Sequence, residues 1–500
     1  MKKFFATLAA ATCLFLPNTT FAADGVALTL DEAVGLALKN NRLIEQSAEE
    51  REAARWYLSA VRRSAGPTLS WSSSNYHIGG RYYRRGYRNS RDNALAQSDM
   101  YARYRQDIGL NLRLYPNYNY ESTNSFNLRV NLYTGGRQEN QRESARYGLN
   151  AADLTLENSR QTVKYQAAAA YFQVLQQASL VDVQQQALEL LQEHLRYVTI
   201  QYEVGTVAKS DMLATGVQLA NTQQSLNTAQ GNYQTAVARL NNVMGLPVDT
   251  EISASSKADF TRYKLTEPQC LEYALTHRPD GIAAAYAVKQ AEANTSAAKA
   301  GYRPNVSAVA GGILTGESFM GGNHSGERWL VGVEMNWNIF DNGVTSAQVH
   351  QAQAITRRAE SAARQQLETI ELEVHSAYIA LKTAEKNIET TAAAVAKAEE
   401  EFSIAQVRYV EGVDTNLNVM NAQEKVVETR NNYYTALYTY NTSRAQLEKA
   451  MGVPVAIDAL IYDNAVQSGK SSPKSLEAAQ VTTDYLSDSA WELPEPFDAR

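Results

Sequence analysis

Six histidines and two cysteines are the side chains of this sequence best suited to metal binding or nucleophilic chemistry. His77, His194, His277, His324, His350 and His375 are scattered along the chain, whereas a metal centre legible in sequence needs ligands gathered at short, fixed spacings. Glu371 and His375 share a helix face four residues apart, and such a pair is far more often a surface helix contact than a site. No phosphate-cradling glycine loop and no paired-cysteine motif occurs. The sequence therefore assigns no catalytic, cofactor-binding or metal-binding residue, and reads as that of a protein without enzymatic activity.

The cysteines carry information of another kind. Cys13 lies in the apolar run Phe4 to Leu16, behind Lys2 and Lys3 and ahead of Thr20-Phe21-Ala22. That order is a secretory signal over residues 1–22, which places the mature start near Ala23. Ala10-Ala11-Thr12 makes a poor lipidation box. Cys270 is then the one cysteine of the exported chain, so no intrachain disulfide staples it although its destination is oxidising. With 53 acidic against 47 basic residues and no basic domain, nucleic acid is excluded as a partner. After the signal no segment approaches the roughly 18 consecutive apolar residues of a spanning helix, so any passage through a membrane must be made by strands.

A third group with chemical potential is the stretch from about 75 to 105. There Arg81, Arg84, Arg85, Arg88, Arg91, Arg103 and Arg105 alternate with Tyr82, Tyr83, Tyr87, Tyr101 and Tyr104. Guanidinium groups in such density fit the phosphates of anionic surface lipids, and fit equally a solvated loop with no fixed ligand.

The elements around these residues are written twice. Leu28-Thr29-Leu30-Asp31-Glu32 matches Leu265-Thr266-Glu267-Pro268-Gln269, and Pro67 matches Pro304, at one offset of 237 positions. Tyr202 matches Tyr409, Gly205 matches Gly412, and Met244-Gly245-Leu246-Pro247 matches Met451-Gly452-Val453-Pro454, at an offset of 207. The first half therefore carries an insertion between Pro67 and Tyr133, the arginine and tyrosine stretch. Two gapless matches of this length predict an internal repeat, dividing the mature chain at 23–247 and 248–453 with a tail at 454–500. Thr29 with Glu32, and Thr266 with Gln269, have capping-box spacing, so a helix opens each half, over 29–66 and 266–303.

Strands are predicted at 68–76, 125–133, 305–313 and 330–340. Leu128, Val130 and Leu132 alternate with Arg129 and Asn131, while Met335, Trp337 and Ile339 alternate with Glu334, Asn336 and Asn338. The period of two is that of a strand with unlike faces. A soluble sandwich gives the same alternation, but demanding polar groups opposite the apolar face fit a lipid side and a watery side. Four strands cannot close a barrel, and open edges in hydrocarbon are forbidden. Closure must be oligomeric: two chains give a barrel filled by side chains, three give twelve strands and room for a passage.

Each half then continues as a hairpin of helices, over 137–246 and 344–451. Residues 137–202 contain no proline and one glycine, which predicts a helix of roughly 65 residues, about 100 Å long. Leu188, Leu191, Leu195, Val198 and Tyr202, and likewise Val395, Ala398, Phe402, Ala405 and Tyr409, repeat at coiled-coil spacing. Gly205 and Gly412 mark the tips.

Taken together, the Leu-Thr-Leu-Asp-Glu-Ala opening at Leu28, the Leu132-Tyr133-Thr134-Gly135-Gly136 strand end and the Met-Gly-Leu-Pro and Met-Gly-Val-Pro helix ends resemble the TolC family of outer-membrane factors, from Leu28 to Pro454. The resemblance implies a mainly helical homotrimer with a twelve-stranded outer-membrane barrel and a periplasmic tunnel. It implies partners too: a periplasmic adaptor and an inner-membrane transporter of a tripartite efflux pump or type I secretion system. By the same resemblance Asp211 and Tyr409 match positions of the lock that closes the tunnel. Asp414 stands where an arginine is expected, and Asn418 and Asn421 where relatives carry aspartates, so an anionic constriction is not inherited. The rival reading is a periplasmic coiled-coil scaffold or adaptor without a barrel.

Overall fold

In the computed structural model the described residues are 26–77, 120–254, 260–316 and 324–455. The predicted secretory signal, residues 78–105 of the arginine and tyrosine stretch and the tail from 456 onward lie outside them. The chain divides into two compact units, one of residues 46–158 and 278–370, the other of residues up to 45, 159–277 and 371 onward.

In chain order the elements are β1 (Val26–Leu28), α1 (Leu30–Asn40), α2 (Arg42–Arg63), β2 (Thr68–His77), β3 (Tyr120–Tyr133), α3 (Arg137–Glu203) and α4 (Lys209–Met244). Then follow β4 (Ile252–Ala254), α5 (Glu267–His277), α6 (Pro279–Lys299), a 3₁₀ turn (Ala300–Tyr302), β5 (Asn305–Gly316), β6 (His324–Asn336), α7 (Val344–Val410) and α8 (Asn416–Met451). The described residues are thus mainly helical, with α3 and α7 running 67 residues each.

Both opening helices are broken where one was predicted. Asn41 has extended backbone (ψ 130°) and ends α1; its side-chain oxygen accepts from the Leu43 amide at 2.9 Å and its Nδ2 donates to the Val243 carbonyl at 2.8 Å. In the second half the break is at Arg278 (ψ 124°). Pro279 follows it, and a proline drives the preceding residue out of the helical region while suiting the first helical position itself. The capping box at Thr29 is formed, with the Thr29 amide 2.8 Å from Glu32 Oε2; the Thr266 amide likewise donates to Gln269 Oε1 at 3.0 Å.

The first unit holds one antiparallel sheet in the order β2-β3-β5-β6. Strand β3 begins at Tyr120, earlier than the predicted 125, because the serine-rich β2 pairs with it residue by residue from Thr68↔Arg129 to His77↔Tyr120. Cross-strand pairing, not apolar alternation, sets that boundary. At the other edge β6 runs 324–336 and stops before Trp337 and Ile339, which were predicted to lie within it; the Trp337 indole donates to the Tyr302 carbonyl at 3.1 Å. Beyond β3 the chain turns sharply through Gly135 (φ +68°), where a Cβ would sit 2.9 Å from both the Ala300 carbonyl and Arg303 Cβ.

The second unit is helical apart from the short parallel pair β1–β4, in which Val26, Ala27 and Leu28 face Ile252, Ser253 and Ala254. Its fully buried side chains include Tyr171, Val174, Leu191, Leu240, Leu381, Tyr440 and Leu447, each contributing roughly 1.5–3 kcal/mol by burial. The two phenols are also satisfied: Tyr171 donates to the Leu28 carbonyl (2.9 Å) and Tyr440 to the Thr261 carbonyl (2.6 Å). Beside Tyr440, the buried Glu385 receives Arg262 at 2.6 Å and Lys382 at 2.8 Å, tying the segment before α5 to α7.

Candidate functional site: an uncovered sheet face and two helix tips

Directly opposed residues of an antiparallel sheet project to the same side, so the register sorts the four strands into two faces. One carries Leu69, Trp71, Phe126, Leu128, Val130, Ala308, Ala310, Trp329, Val331, Val333 and Met335. The other carries Ser70, Ser72, Ser125, Asn127, Arg129, Asn131, Ser307 and Glu334. The apolar face is open: Trp329 is 84% exposed, Val331 75% and Met335 65%. A monomeric soluble protein rarely leaves a contiguous apolar patch of this extent uncovered. Leu128 of the sequence prediction is exposed on this side, Leu132 is exposed at the bulge where the register shifts between Asn131 and Tyr133, and Trp337 and Ile339 are exposed just beyond the end of β6. Among the described residues both outer strands, β2 and β6, have unpaired edges.

On the polar face, Arg129 reaches across β5. Its Nη2 lies 2.8 Å from Glu334 Oε2 and its Nη1 donates to Ser307 Oγ at 3.0 Å. Ser72 and Ser125 Oγ atoms meet at 2.6 Å.

Each helical hairpin turns at a predicted glycine. Gly205 (φ +81°) and Gly412 (φ +75°) have the left-handed backbone that glycine adopts without penalty. The following amides close back onto the helix, Thr206 onto the Gln201 carbonyl and Val413 onto the Arg408 carbonyl, both at 2.9 Å, the pattern that satisfies helix-end carbonyls. The two predicted tyrosines part company. Tyr202 is exposed, so the seam of α3 ends at Val198; Tyr409 is buried with Val198, Ala405, Val419 and Ala422. The Tyr409 hydroxyl donates to Gln201 Oε1 at 2.9 Å, and its ring lies 5.5 Å from that of His194. Burial, with the negative charge of Asp211 and the neighbouring Tyr197, pushes the Tyr409 phenol above its ordinary value.

Asp211 meets α8 through its backbone: its carbonyl accepts from Asn416 Nδ2 at 3.3 Å. Asn416, itself buried, also donates to Thr215 Oγ1 at 3.0 Å and stands 2.6 Å from His194 Nε2. This network joins α3, α4 and α8 and was missed in the sequence, since neither His194 nor Asn416 belongs to a motif. Asp414, where the resemblance leads one to expect arginine, has an arginine in its own hairpin, Arg408, at 3.7 Å. Hydrogen bonds from the Asn418 side chain and the Thr415 amide, with the Arg408 charge, hold the Asp414 carboxyl below the usual range. Asp414, Asn418 and Asn421 line one groove of about 720 Å³ with Lys397, Arg408 and Lys425.

The tips also expose apolar side chains that the periodicity did not single out, Val204, Leu213 and Val217 on one and Val410, Val413 and Leu417 on the other. Their signal in sequence is an apolar residue off the buried seam. His375, predicted to face Glu371, bonds instead to Glu267 of α5. Among the described residues no helix is long and apolar enough to cross a membrane, and no group of His, Cys, Asp and Glu is arranged to hold a metal ion.

Comparison with known proteins agrees with this arrangement. The chain is similar to the outer membrane efflux protein BepC of Brucella suis, 25% identical over 62% of this chain and 68% of that protein. It is similar also to the outer membrane protein TolC of Escherichia coli, 23% identical over 70% and 74%. The fold matches the crystal structure of the Campylobacter jejuni CmeC outer membrane channel with a TM-score of 0.70, covering 89% of this chain and 90% of that one at 18% identity. The open state of the Neisseria gonorrhoeae MtrE outer membrane channel gives 0.67, over 85% and 88% at 19% identity. The family model for outer membrane efflux proteins matches residues 33–246 and 270–453, and with most of both halves included the chain belongs to that family, the TolC-type outer-membrane factors.

Proposed function

We propose that three copies of this chain form an exit duct in the outer membrane, carrying substrates outward from an inner-membrane transporter and its periplasmic adaptor, in a tripartite efflux pump or a type I secretion system. The observation that carries the reading is the open apolar face of the four-stranded sheet, with an unpaired edge on each side of it. In hydrocarbon such edges must be closed. Three sheets joined edge to edge give twelve strands, with the apolar face toward outer-membrane lipid and the serine- and asparagine-rich face toward a passage. The two halves, 23–247 and 248–453, are read as one structural unit repeated, followed by a periplasmic tail.

The hairpin tips are the proposed periplasmic end. Exposed Val204, Leu213, Val413 and Leu417 supply the apolar surface an adaptor engages. Tyr202, Asp211, Tyr409, Asp414, Asn418 and Asn421 are the proposed closure around them, with Gly205 and Gly412 as its turns. No catalytic step is needed: the relatives named above are channel components, and selection of substrate falls to the transporter.

Fractionation tests the reading. The mature protein should be extracted from outer membranes only with detergent and should run as a trimer that heat converts to monomer. A water-soluble monomer in the periplasmic fraction would favour the rival scaffold.

A further inference from the structure

We propose that Arg129 and Glu334 set the charge selectivity of the barrel passage, each cancelling the other at the helix-connected end of the sheet. The inference rests on the barrel reading above. Both side chains lie on the polar face, half-exposed at 50% and 52%, and they bridge three strands through Ser307. The residues nearest them on that face are uncharged: Ser70, Ser72, Ser125, Asn127 and Asn131, with Glu121 eight residues from Arg129 along β3. Arg328 shares the face but stands six residues nearer the hairpin end of β6, roughly 20 Å away along the strand. That is about twice the distance over which salt at 0.1 M screens exposed charges, so Arg328 cannot substitute for either partner.

In a trimer the pair becomes a ring of three positive and three negative charges at one level. Rings of like charge select ions in pores; a ring of matched pairs adds no net charge at its own level. Removing one partner converts it into a ring of three like charges in a low-dielectric wall, with local potentials of several kT.

Reversal potentials of the purified full-length protein in planar bilayers, under a potassium chloride gradient, test this. Glu334→Gln should raise the anion-to-cation permeability ratio and Arg129→Gln should lower it, each roughly three- to tenfold. Both replacements together should return the ratio to that of the wild type. Arg129→Glu combined with Glu334→Arg, which keeps both charges, should match the wild type, and it serves where a single variant fails to assemble. Conducting variants whose ratio stays unchanged, or moves the same way for both single replacements, would overturn the proposal. A lower trimer-dissociation temperature with an unchanged ratio would do so too, and would leave the pair as a strand clamp. A wild-type protein that neither trimerises nor conducts would instead sink the barrel reading itself.

Discussion

His194 on α3 and Asn416 at the start of α8 meet at 2.6 Å, and the same Asn416 amide group donates to Thr215 and to the Asp211 carbonyl of α4. One buried side chain thus fastens three helices just behind the tips.

Replacing Asn416 with leucine removes every one of these bonds and leaves Thr215 and the Asp211 carbonyl only the 2.8 Å bond they make to each other. Each hydrogen bond lost costs about 0.5–1.5 kcal/mol. Amide exchange over residues 209–216 should accelerate by about tenfold or more, while the sheet keeps its protection. Unchanged exchange at α4 would show that the network contributes little.

Gly205→Val and Gly412→Val test the tips. Nothing lies within 4 Å of a Cβ at either position, so the strain arises from the backbone, about 1–2 kcal/mol for a left-handed residue with a side chain and more for a β-branched one. The trimer should persist on gels, and export should fall in a strain supplied with the matching transporter and adaptor. Full transport by both variants would move the tips elsewhere.

Val331→Arg and Ser72→Arg compare the two faces of the sheet. In the proposed barrel a charge on the lipid side near the bilayer midplane costs about 2–4 kcal/mol per chain, whereas the lumen side tolerates it. Heat-sensitive trimers should disappear from the outer membrane for Val331→Arg and survive for Ser72→Arg. Equal recovery of the two would argue that the apolar face meets something other than lipid.

Glu385 makes part of the stability pH-dependent. Lys382 and Arg262 hold its carboxyl below the ordinary glutamate value. The ion pairs therefore contribute fully above about pH 4.5 and are lost as the pH falls through the depressed folded value. Thermal melts should show Glu385→Gln less stable than the wild type at neutral pH, with the gap narrowing under acid. A constant gap from pH 7 to pH 3 would contradict the assignment.

Cys270 is fully buried, and burial pushes its thiol above the usual value. A soluble disulfide reagent at pH 8 should leave it unmodified in the folded protein and label it fully in guanidinium chloride. Rapid labelling of the native protein would place α5 at an open surface.

Much of this organisation is legible in residue order because it rests on local rules. Proline-free runs and glycines at fixed positions give α3, α7 and their turns; alternation gives the faces of β3 and β6. What escaped has non-local causes. The extension of β3 back to Tyr120 depends on its partner β2, the exposure of Tyr202 against the burial of Tyr409 depends on which helices surround each, and the role of Asn416 depends on three helices meeting. Arg278 is the exception, a break with a local sign in Pro279; the break at Asn41 has none, since the Val243 carbonyl that holds it belongs to the distant end of α4.

Among the described residues the three-residue strand β1 has one partner, β4, which the chain does not contain until more than two hundred residues later. Closing so long a loop is slow, so β1 keeps its edge unpaired until β4 is within reach. The pairing therefore cannot form on a half-made chain, and its presence reports that the polypeptide has been made past Ala254.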